Sequence, residues 1–119
     1  MKDIIVGINL FNDADFFSAH DVFESLWVES NQKDKLFFQG LVQVSVGCYH
    51  LICGNLKGAL SQLNKGKIKL EKYLPSYSEI NLENLVSEIN NLIIELKKYS
   101  HGNNFSFNAV LIPKLKTTI

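Results

Sequence analysis

The run His20-Asp21-Val22-Phe23-Glu24-Ser25-Leu26-Trp27 places an imidazole, a carboxylate and an indole at helical spacing. At about 100° per residue, Glu24 lies roughly 40° and Trp27 roughly 20° from His20 around a helix axis. Phe16, Phe17 and Phe23 border the same sector. Three kinds of chemistry fit this pattern. His20 and Glu24 can make a structural i,i+4 contact, with Trp27 as a core aromatic. They can ligate one divalent cation, with His50 as a third ligand. They can also move a proton, with Glu24 orienting His20 or both acting on a bound molecule. The catalytic candidates and the metal-ligand candidates are therefore the same pair, His20 and Glu24. The stronger His-Glu-x-x-His spacing and any cysteine ligand set are absent from the chain.

A second polar stripe crosses the most hydrophobic segment. Relative to Gln43, Gln39 lies roughly 40° and His50 roughly 20° to the same side of a helix. Gly40 and Gly47 on this segment would let another helix approach closely. An amphipathic helix turns such stripes towards the core. Facing stripes would then gather His20, Glu24, Gln39, Gln43 and His50 into one polar cluster inside an apolar bundle. Each member would need a partner, since an unsatisfied buried polar group costs about 1–3 kcal/mol. The ligand-binding candidates are Trp27, Gln39, Gln43 and His50.

The elements that must hold these residues are helical. Asp3 can cap a short helix over 3–11, although Ile4-Ile5-Val6 also suits a strand. Asn12-Asp13 interrupts the chain, and Asp13 and Asp15 suit the first turn of a helix over about 14–29. Ser30-Asn31 ends that helix and can cap the next, over about 32–53. Its twenty or so residues without a turn signal decide for helix over its valine-rich strand propensity. Gly54-Asn55 closes one helix and caps another over about 56–73. Pro75 and Ser76-Tyr77-Ser78 read as a loop, and Asn81 caps a last helix over about 82–99 with a clean 3.6-residue apolar period. Beyond Tyr99 the chain reads as an irregular tail over about 100–119, packed by Phe105, Phe107, Leu111 and Ile112. The expected fold is all-α, a small bundle of four main helices plus a short N-terminal one, in a single domain over 1–119.

Composition excludes several classes. The 119 residues carry 12 basic and 12 acidic side chains, and a nucleic-acid binder usually shows a basic excess. No apolar stretch is long enough to span a bilayer, and Met1-Lys2-Asp3 does not resemble a signal peptide. Cys48 and Cys53, five apart on one helix, diverge and suit a reducing interior. The expected location is cytoplasmic, with no nucleic-acid or membrane partner. Gly54-Asn55-Leu56-Lys57-Gly58 follows a helix and lacks Gly-Lys-Ser/Thr, so it is no phosphate loop. His101 beside Gly102 reads as a solvated turn residue, and no nucleophile elbow supports acyl transfer.

Three segments in order resemble one family: Leu10-Phe11-Asn12 leading into Phe16-Phe17 and Ala19-His20-Asp21-Val22-Phe23-Glu24 with Trp27; Phe38-Gln39-Gly40-Leu41-Val42-Gln43; and His50-Leu51 with Gly54-Asn55 and Gly58-Ala59. Over about 3–74 the chain resembles the bacterial and archaeal domain of unknown function 309, whose signature is matched by His20, Glu24 and Trp27. The resemblance implies a small helical bundle and suggests that the His–Glu motif binds metal or is otherwise functional. The family usually has glutamate directly after the histidine, where this chain has Asp21. The expected function is a metal- or small-ligand-binding site between the second and third helices. The alternative is a non-catalytic interaction or structural module in which the same residues form a buried hydrogen-bond network. The pattern fixes no cofactor, a divalent metal being the candidate. The partner is a small molecule or a protein, and both monomer and homodimer fit.

Overall fold

The computed structural model describes residues 2–99 and 112–118. Among them the chain forms five α-helices: α1 (Lys2–Asn12), α2 (Phe16–Glu29), α3 (Lys35–Ile52), α4 (Leu56–Leu70) and α5 (Leu82–Lys97). The all-α expectation holds. The ambiguous first segment is a helix because Ile4, Ile8 and Phe11 fall on one face and are buried.

Caps set the boundaries. Ala14, at φ +65°, turns the chain after α1. Asp15 then caps α2, its carboxylate accepting from the Ser18 N–H, while Asp13 stays exposed in the turn. Helix α3 starts at Lys35 rather than near 32, because Asn31 Oδ1 accepts from the Asp34 N–H at 3.0 Å and holds a turn there. Gly54, at φ +80°, ends α3, and Asn55 and Asn81 cap α4 and α5 through the N–H groups of Gly58 and Asn84. Helix α4 tightens into a 3-10 turn, Glu71–Tyr73.

Helix α3 is the central element, packed against α2 on one side and α4 on the other. Its buried Phe37, Phe38, Leu41, Val44, Cys48 and Leu51 fill the core. The close approach expected at its glycines is made by α4. A Cβ on Gly66 would lie 2.9 Å from the Gly40 carbonyl oxygen, and one on Gly47 would lie 2.8 Å from Leu63 Cγ.

Two features differ from expectation. The loop after Pro75 contains a minimal antiparallel hairpin, β1 (Ser76–Tyr77) paired with β2 (Ile80–Asn81). Within the expected tail, residues 112–118 lie against the body, with Leu115 buried. The Asn81 N–H donates to the Lys116 carbonyl at 2.8 Å, and the Thr118 N–H to that of Glu79 at 2.9 Å. The edge of a two-residue strand offers free backbone groups to any extended segment that reaches it, a pairing no local periodicity announces. His101, Phe105, Phe107 and Leu111 lie outside the described residues.

Candidate functional site

Helices α2 and α3 run antiparallel: Lys35 Nζ donates to the Trp27 carbonyl at one end, and the Phe17 and Tyr49 rings meet at 5.6 Å at the other. The buried face of α2 consists of Phe16, Ala19, Phe23 and Leu26. Measured from the centre of that face, His20 lies roughly 80° away and Glu24 roughly 120°. The expected burial of this stripe is therefore corrected. His20 is half-buried at the edge of the helix packing, and Glu24 is exposed. Phe16 and Phe17 both border the stripe in sequence, but only Phe16 enters the core, and Phe17 is 54% exposed.

His20 is fixed locally. Its Nδ1 lies 3.0 Å from the Phe17 carbonyl oxygen and 3.4 Å from Asp21 Oδ1. A carbonyl only accepts, so Nδ1 carries the proton, and Nε2 of the neutral ring is left with a lone pair. One ligand atom each from His20, Asp21 and Glu24 lies within 4.8 Å of the others. Asp21 was not among the candidate ligands, although its place beside His20 and three residues before Glu24 carried the signal.

His20 also lines an open pocket of about 230 Å³ with Phe17, Val46, Tyr49 and His50. The two histidines that sequence spacing placed on facing stripes thus share one cavity. His50 Nδ1 lies 3.2 Å from Asn55 Nδ2, so the residue that caps α4 also orients this imidazole. The Tyr49 hydroxyl is hydrogen-bonded to Cys53 one turn on, and this contact pushes its ionisation above the ordinary tyrosine range. Two other open pockets, of about 260 and 300 Å³, are larger, but neither is lined by a histidine.

The remaining candidates stay outside this arrangement. Gln39, Gln43 and Trp27 are half-buried and line neither the pocket nor the three-donor group. Gln43 Oε1 and Trp27 Nε1 are buried polar atoms with no hydrogen-bond partner. Among the described residues, no hydrogen bond joins His20, Glu24, Gln39, Gln43 and His50 to one another. The single buried polar cluster expected from the stripes is therefore not formed. Helical periodicity gives direction around an axis, but the width of the α2–α3 contact decides how far around the axis burial extends.

No curated protein matches this chain. Residues 4–62 match the family described as Domain of unknown function (DUF309). The match contains His20, Asp21 and Glu24, every residue lining the pocket that His20 shares, and Asn55, which meets His50. Over that segment the chain is similar to the DUF309 family.

Proposed function

We propose that the protein binds a small ligand in the pocket between α2 and α3 and a divalent cation at its rim. The observation that carries this reading is the double placement of His20, which belongs both to the three-donor group and to the pocket. His20 would bind the cation through Nε2, its Nδ1–H being held by the Phe17 carbonyl, an outer-shell support typical of metal-bound histidine. Asp21 and Glu24 would supply the oxygen ligands. Metal–ligand bonds of about 2.0–2.2 Å in tetrahedral geometry bring donor atoms to about 3.4 Å apart. The donors therefore close in by side-chain rotation, which exposed Asp21 and Glu24 have the freedom to make.

The alternative, an interaction module, draws support from the exposed apolar side chains of Phe17 and Tyr49 on the same pocket. Metal analysis of protein purified without tag or chelator, followed by zinc and manganese titration calorimetry, separates the two. Binding of one cation by wild type, lost in still-folded His20→Ala and Glu24→Gln variants, supports the site. No uptake by wild type, or equal uptake by the variants, overturns the cation reading.

A further inference from the structure

We propose that the pocket between α2 and α3 selects a small carboxylate, whose oxygen accepts a hydrogen bond from His50 Nε2–H. This rests on the reading of the pocket as a ligand site, but not on the cation at its rim. The Gly58 backbone N–H can only donate, so the Asn55 atom it meets at 3.0 Å is the amide oxygen. The other amide atom is therefore the NH₂ group, which also only donates, and it meets His50 Nδ1 at 3.2 Å. A ring nitrogen that accepts carries no proton. Neutral His50 is accordingly protonated at Nε2, the one polar ring atom it has left for a ligand.

His20 on the same pocket has the opposite tautomer, because the Phe17 carbonyl holds its Nδ1–H. The pocket thus combines one fixed imidazole donor with one imidazole acceptor. Its other walls, Phe17, Val46 and Tyr49, offer aromatic and aliphatic surface, and no carboxylate is among its lining residues. At about 30 Å³ per water-sized group, its roughly 230 Å³ admits about eight such groups. A ligand of benzoate size has the matching body. Its charged oxygen makes the stronger, charge-assisted hydrogen bond with His50, whereas a positively charged analogue cannot accept from His50 Nε2–H and has only the neutral lone pair of His20 to donate to.

The test has two arms, both made on the full chain at about pH 8.5, above the ordinary imidazole range near 6.5. Nitrogen-15 NMR of the histidine rings reads the tautomers directly. His50 protonated at Nε2, with that signal shifting on benzoate addition, supports the proposal, and protonation at Nδ1 overturns it. In the second arm benzoate and benzylamine are titrated against wild type and Asn55→Asp. This substitution keeps the oxygen that caps Gly58 but replaces the NH₂ donor by an acceptor, which moves the His50 proton to Nδ1. Millimolar or tighter benzoate binding by wild type, little benzylamine binding and about tenfold weaker benzoate binding by the variant are expected. Absent benzoate binding, or equal binding by the variant, overturns the proposal. Zinc titration of the same samples keeps the two readings apart. Benzoate binding without zinc uptake refutes the rim cation alone, and zinc uptake without benzoate binding refutes the carboxylate alone.

Discussion

Asn12 and Leu115, 103 positions apart, exchange two hydrogen bonds. The Leu115 N–H donates to Asn12 Oδ1 at 2.8 Å, and Asn12 Nδ2 donates to the Leu115 carbonyl at 2.9 Å. The same short segment reaches α5, where the Lys114 N–H donates to Glu88 Oε1 at 2.9 Å, and Lys114 Nζ donates back to the Asn12 carbonyl. One side chain at the end of α1 thus clips the last described stretch of chain over the hairpin and α5.

Asn12→Ala removes both bonds and leaves the half-buried backbone of Leu115 without its partner. A loss of about 1–3 kcal/mol is expected in urea denaturation. Hydrogen exchange at the Leu115 amide should accelerate far more than at core amides of α3. Equal exchange rates in wild type and variant would show that the clip does not hold the segment.

Glu24→Gln tests whether the motif is structural. Glu24 is exposed, and among the described residues its side chain makes no hydrogen bond. Stability should change by no more than about 0.5 kcal/mol, while zinc affinity falls at least tenfold. A large stability loss with unchanged affinity would return the residue to a scaffold role.

Gly66→Ala sets helix propensity against packing. Alanine is favoured over glycine inside a helix by about 1 kcal/mol. Here, however, the added methyl meets the Gly40 carbonyl oxygen at 2.9 Å and the Val44 backbone nitrogen at 3.1 Å. Backbone atoms yield little, so net destabilisation of about 1–3 kcal/mol is expected, read as a lower melting temperature. A stabilised variant would mean that α3 and α4 separate easily.

Burial pushes the Cys48 thiol up from 9.0 to about 12. In the unfolded chain the thiol ionises first, so between those pH values the unfolded state holds fewer protons than the native one. Its contribution to stability is therefore fully present below about pH 9 and falls as the pH rises towards 12. Cys48→Ala should flatten that part of the stability–pH curve, and native Cys48 should resist a thiol reagent that labels exposed Cys53. Labelling of both cysteines at equal rates in the native protein would contradict this burial.

The sequence by itself determined the helices, their caps and the polar motif. Asn55 and Asn81 at their caps, Gly54 at a positive φ, and the apolar period from Leu82 to Leu96 all act within a few residues, where spacing is geometry. Glycine spacing on α3 also announced the close approach of another helix. Tertiary structure alone decided which residues meet. It turned Glu24 to solvent, left His20 at the edge of the α2–α3 contact, and brought His50 to the same pocket while leaving Gln39 and Gln43 outside it. It also drew residues 112–118 onto Asn12 and the edge of β2. The physical reason is range: caps and periodicity are set along one axis, whereas burial and pockets depend on how far neighbouring helices overlap, which no single segment encodes.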